Sequence, residues 1–167
     1  MSKFVFNRSK NSLMAIPFTD REMEKAWYQN LCAYKNSQET SRTNAHRLLL
    51  FYAVECGLKT ILMKRKGHKR SDSCTDIAEC QHNINKLLDC LGAGGSLNIP
   101  EIFISEVFDT RNNKEERKLN SGQINQMWRY GGKVISIVSQ KQKASDEDIE
   151  NKLLAISKWI AGEIERL

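Results

Sequence analysis

Arg42 and His46 stand four residues apart, a spacing that projects both side chains from one side of a helix. A metal-free ribonuclease has to deprotonate a 2′-hydroxyl, protonate a leaving oxygen and stabilise charge on phosphorus. A histidine that titrates near neutrality serves the first two tasks and an arginine the third. The plainer reading is that both residues help to start the helix that follows, where a protonated histidine would face the positive helix end.

Glu55 lies within "FYAVECGLK", between Tyr52, Val54, Cys56 and Leu58. A carboxylate buried there without a partner is costly. Lys59 follows one turn later, and Arg129 in "WRYGG" offers a second partner from far along the chain. The expectation is a structural Glu55–Arg129 pair, with Tyr130 beside it, joining a central helix to a later segment.

The run "KRKGHKR" supplies Lys64, Arg65, Lys66, Lys69 and Arg70. These are cations for a helix C-terminus, or a contact for a phosphate backbone whose affinity would fall steeply with salt. In "RNNKEER", Arg111 and Arg117 can hold phosphate, but an arginine cannot replace a histidine as base. Cys74, Cys80, His82 and Cys90 lack the paired Cys-x-x-Cys spacing of structural zinc sites, so no metal is expected. "GAGGSLN" lacks the lysine and helix start of a phosphate loop, no nucleophile motif is present, and no cofactor is expected. Five cysteines without scaffold spacing read as reduced thiols.

These residues need elements to position them. A chain of 167 residues, 40% hydrophobic and 28% charged, suits one globular domain. Its net charge of +6 and pI near 9.1 favour anionic partners only mildly. No run reaches the roughly 18–20 apolar residues that span a bilayer, and "MSKFVFNRSK" turns to charge before a signal-like region forms. The expected location is the cytoplasm, away from the membrane.

Residues 1–18 read as a lead-in or arm, and residues 19–167 as a helical domain. Thr19 and Glu22 have capping-box spacing, followed by Met23, Trp27, Leu31 and Tyr34 on one face. The stretch from Asn44 to Gly67 is apolar nearly all round and should form a central helix. Residues 75–91 read as one helix with Ile77, Ile84, Leu87, Leu88 and Leu91 inward, and 100–108 as a short helix with proline at its first position. "DTRNNKEERKLNSG" reads as an exposed excursion, and 132–139 as either strand or helical turn. From Ser145, an apolar stripe of Ile149, Leu153, Ile156, Ile160, Ile164 and Leu167 marks the last helix. The sum is an all-α, single-domain bundle of four to five helices.

The order "YAVECGLKTILMKRKG", "HNINKLLDCL", "WRYGG" resembles the HEPN family (higher eukaryotes and prokaryotes nucleotide-binding domains). The matching residues are Glu55, Leu58, Lys59, Lys64, His82, Ile84, Leu87 and Leu88, with Arg129 and Tyr130 as the later arginine–tyrosine pair. The resemblance implies a helical bundle, often a homodimer or a subunit of a larger complex, in prokaryotic toxin–antitoxin, phage-defence or nucleotidyltransferase-linked systems. Many members are metal-independent ribonucleases with an arginine, four to six intervening residues and a histidine. Here Arg42 and His46 enclose only three residues, Arg117 stands where a histidine would follow Arg111, and no histidine follows His82. The expected role is therefore a binding or assembly module that contacts RNA, a protein such as a nucleotidyltransferase or other defence subunit, or both. The alternative is an endoribonuclease using Arg42 and His46, or a site shared across a dimer.

Overall fold

The computed structural model describes residues 16–140 and 142–167, so most of the expected arm lies outside the described residues. Helix α1 (Asp20–Lys35) starts where the capping box places it, with the Thr19 hydroxyl accepting from the Glu22 amide and the Glu22 carboxylate accepting from the Thr19 amide. Helix α2 (Asn44–Arg65) is covered on several sides, and Leu50, Phe51, Val54, Leu58, Ile61 and Leu62 are all buried. The last helix, α6 (Asp146–Ile164), carries a second capping box between Ser145 and Asp148 and buries Ile149, Leu153, Ile156 and Ile160. Of its expected stripe, Ile164 is partly buried and Leu167 exposed.

Between these helices the chain departs from the expected all-α bundle. Among the described residues it is mixed α/β, with six α-helices and a four-stranded antiparallel sheet. The strands are β1 (Ile102–Phe108), β2 (Lys114–Leu119), β3 (Val134–Ile137) and β4 (Gln142–Lys143), in the order β2-β1-β3-β4. The expected short helix after Pro100 is strand β1. Ile102 and Ile104 alternate inward with β-branched side chains, the period-two pattern of a half-buried strand. The expected excursion is a hairpin. The Asp109 carboxylate accepts the amides of Arg111 and Asn113, while Asn112 takes a left-handed conformation with φ +62°. Residues 134–137 of the undecided stretch are strand, paired to β1 through Ile102–Ile137 and Ile104–Val134.

The expected single helix over 75–91 is two: α3 (Thr75–Cys80) and α4 (Ile84–Leu91). Gln81, with φ +51°, breaks the first, and the Asn83 side chain caps the second by accepting from the Lys86 amide. Helix α5 (Ile124–Arg129) is fixed by Trp128, whose indole N–H donates to Asp146 at 2.9 Å.

The close approach of α1 and α6 to α2 leaves little room for a side chain at Gly57. A Cβ there would lie 2.7 Å from Ile160 Cγ2 and 2.9 Å from Trp27 Cδ1. Overpacking costs roughly 1–3 kcal/mol and alanine's helix propensity returns about 1. Gly57→Ala should therefore be neutral or lose up to about 2 kcal/mol in urea unfolding, and Gly57→Leu should lose more. A Gly57→Leu protein with an unchanged transition midpoint would contradict this packing.

Candidate functional site

Three elements bring a buried ionic group to a cavity. Glu55 and Lys59 are one turn apart on α2, and the Lys59 ammonium donates to Glu55 Oε1 at 2.5 Å. The break between α3 and α4 carries His82 across to the same carboxylate, with Nδ1 3.0 and 3.1 Å from its two oxygens. Glu55 and Lys59 are buried, whereas the His82 side chain is 57% exposed. A carboxylate can only accept, so Nδ1 is the donor in this contact.

The group lines a cavity of about 860 Å³ between α1, α2 and α3. Its walls are largely apolar, from Phe18, Met23, Ala26, Ile77 and Ala78, with Glu22, Asn30 and Gln81 adding polar atoms. Tyr52 and Cys56 stand beside Glu55 on α2, and burial pushes the Cys56 thiol up to about 11. That group is an inert apolar surface rather than a nucleophile.

The expected Glu55–Arg129 pair is not formed. Arg129, at the C-terminal end of α5, donates to the Tyr52 hydroxyl at 2.7 Å, one turn before Glu55. Lys59 and His82 already meet the Glu55 carboxylate, and Tyr130 is 79% exposed.

Arg42 and His46 do not form a site either. Arg42 follows a 3₁₀ turn (Glu39–Ser41) with an extended backbone, so the two residues do not share a helix face. Its guanidinium lies over the Tyr34 ring at 4.5 Å and bonds Glu150 at 3.0 Å. Glu150, buried on α6, also accepts from the Tyr34 hydroxyl and from Arg47 Nε at 3.0 Å, and Arg47 reaches Glu147 at 2.9 Å. Burial first, and then the Glu150 carboxylate, push the Tyr34 hydroxyl well above its ordinary value. His46 Nδ1 accepts the Thr43 amide at 3.0 Å, taking the place of the usual capping-box carboxylate. A ring nitrogen that accepts a backbone N–H carries no proton, so this atom is committed to the helix start.

Every cation of the Lys64–Arg70 run has a carboxylate. Lys64 meets Glu24 at 2.7 Å, Arg65 meets Glu163, and Lys66 meets Asp76. Lys69 meets Asp20 at 3.2 Å, and Arg70 meets Asp72 at 2.8 Å. A phosphate would have to compete with those partners. Arg117 lies along the hairpin, bonded to the Ser105 carbonyl at 2.7 Å and its hydroxyl at 3.1 Å, and Arg111 occupies the exposed hairpin turn. Neither belongs to the Lys64–Arg70 segment. Among the described residues, no group of three or more His, Cys, Asp or Glu side chains is placed to hold a metal ion.

Sequence reasoning recognised Glu55's need for a partner but not His82, 27 residues away. It passed over Arg47 and Glu150; the one available signal was an acid directly after Ile149 on an otherwise buried stripe. No family model, curated protein or solved structure matches the chain. No helix among the described residues is long and apolar enough to cross a membrane.

Removing one partner of a buried ion pair costs about 3–5 kcal/mol, because the other charge stays buried. Glu55→Ala should therefore lower the unfolding free energy by about 3 kcal/mol, and Glu150→Ala by at least as much. Arg129→Ala, which removes only an exposed contact, should leave the unfolding transition close to that of the wild type. Chemical denaturation of the three variants checks the order, and equal losses at Glu55 and Arg129 would refute it.

Proposed function

We propose that the chain is a HEPN-like binding or assembly module of a prokaryotic defence or toxin–antitoxin system, acting in the cytoplasm through contact with a protein partner. The observation that carries this reading is the cavity of about 860 Å³, apolar on most of its wall and bearing Glu55, Lys59 and His82. Such a surface accepts an apolar segment that also carries a hydrogen-bonding group to meet the buried charges.

The residues behind the resemblance support the reading by where they converge. Leu58, Ile84, Leu87 and Leu88 share the core, and Lys59 and His82 both bond Glu55 on the cavity wall. The sheet is an addition that the resemblance does not imply. A protein is favoured over RNA because the basic run is paired internally. The ribonuclease alternative loses support, since Arg42 serves Glu150 and His46 caps α2.

The test uses the full chain and the product of an adjacent gene, a nucleotidyltransferase or other defence subunit, in analytical ultracentrifugation. A complex should form with the wild-type chain. It should weaken at least about ten-fold with Ala26→Trp, which fills the cavity, a loss of roughly 1.4 kcal/mol. It should persist when Lys69 and Arg70 are both changed to Glu. Ala26→Trp sparing the complex while the charge reversals abolish it would reject the cavity as the contact. Self-association that Ala26→Trp abolishes would make a second copy the occupant.

A further inference from the structure

The cysteines that the cavity leaves unused include a close pair. Cys80 is the last residue of α3 and Cys90 lies near the end of α4, and the reversal at Gln81 folds the two helices together. Their sulfurs are 3.7 Å apart, one acting as a weak hydrogen-bond donor to the other. The pair is asymmetric, because Cys90 is exposed and Cys80 buried.

We propose that Cys80 and Cys90 are a modification site: a dithiol that a hydroperoxide oxidises to an intramolecular disulfide linking α3 to α4. Closure needs the sulfurs to move from 3.7 Å to the roughly 2 Å of a sulfur–sulfur bond, within reach of a rotamer change and a small helix shift.

The order of events follows from accessibility. Burial first, then the hydrogen bond with Cys90, push the Cys80 thiol up to about 12, so it stays protonated and sheltered. Cys90 faces solvent near a cation. The Lys66 ammonium is held above the ordinary lysine range by Asp76 first, and more weakly by the neighbouring Cys74 and Cys90 sulfurs.

In the first step the Cys90 sulfur attacks one peroxide oxygen. The S–O bond forms, the O–O bond breaks, and the departing oxygen leaves as water with the thiol proton, giving a sulfenic acid. In the second, the Cys80 sulfur attacks Cys90, the S–S bond forms, and the sulfenic oxygen leaves as a second water with the Cys80 proton. Two thiols are oxidised by two electrons and one hydrogen peroxide is reduced to two waters.

The other cysteines have no such geometry. Cys74 is buried with its sulfur 4.0 Å from Asp76, and Cys32 and Cys56 are on α1 and α2 rather than on the helices joined at this turn. The turn enclosed by the disulfide contains Gln81 and His82, which line the cavity, so oxidation stiffens one of its walls. The thiol chemistry stands whether or not the cavity binds a protein.

The full chain is treated with hydrogen peroxide, remaining thiols are alkylated, and peptides are mapped by mass spectrometry. The expected product is one Cys80–Cys90 disulfide, lighter by two hydrogens, reversed by dithiothreitol and accompanied by a higher melting temperature. Cys80→Ser, or Cys80→Ala if the first folds poorly, should stop at a Cys90 sulfenic acid that dimedone traps. Cys90→Ser should leave Cys80 as a free thiol. Both cysteines remaining alkylatable in the treated wild type, Cys90 pairing with Cys74, or a Cys90 cross-link only between two chains would overturn the assignment.

Discussion

Helix α2 buries Leu50 to Met63 on nearly every side, so α1, α4, α5 and α6 are each placed by the part of α2 they cover. The helix cannot be apolar throughout, because its polar residues mark where neighbours attach. Arg47 near its start reaches α6 through Glu147 and Glu150. Arg65 at its end reaches α6 again through Glu163 and α4 through the Leu91 carbonyl at 3.0 Å. Glu55 in the middle reaches the α3–α4 turn through His82. Hydrophobic burial supplies the drive to cover α2, and these directional contacts select which arrangement covers it.

The central pair differs from the two at the ends. Desolvating a carboxylate and an ammonium costs several kcal/mol per ion, and their attraction roughly offsets that cost without exceeding it by much. An apolar pair of similar volume at Glu55 and Lys59 would serve the core equally well. At the helix ends the charges tie segments distant in sequence, which gives them a structural reason. Glu55 and Lys59 sit on one helix and gain no such tie from each other; their retention makes sense because they face a cavity. The carboxylate also fixes the His82 ring through Nδ1.

The helices that were legible are those with local signals of their own. Thr19 with Glu22 announces α1, Ser145 ahead of the Ile149 stripe announces α6, and the continuous apolar run announces α2. The sheet was not legible for physical reasons. Pro100 and the two inward isoleucines fit a helix start as well as a strand, since Ile102 and Ile104 alone cannot separate a period of two from 3.6. Strand β2, "KEERKL", carries charge on both faces because it is a sheet edge, where charge discourages pairing with another chain. The split of α3 from α4 rests on a positive φ at a glutamine, which no composition rule anticipates. At the site, the need for a counter-charge at Glu55 could be read from its neighbours, but the choice among Lys59, His82 and Arg129 is made by tertiary geometry.

Net charge shows the same separation between inventory and arrangement. Half of the +6 resides in Lys3, Arg8 and Lys10, ahead of the described residues. The densest basic run is matched, cation by cation, with acids drawn from α1, α3, α6 and its own loop. Each exposed pair contributes little to stability, yet together they cancel the field that would attract a phosphate chain. A run that reads as a nucleic-acid contact is thus largely a fastening between helices. The same segment brings Lys66 to Asp76 and the Cys90 sulfur, so the end of α2 also sets the electrostatic surroundings of the thiol pair. From there the chain leads within ten residues to His82 and the cavity. A change at the α3–α4 turn, by oxidation or by substitution, therefore reaches the buried carboxylate through one hydrogen bond rather than through the core.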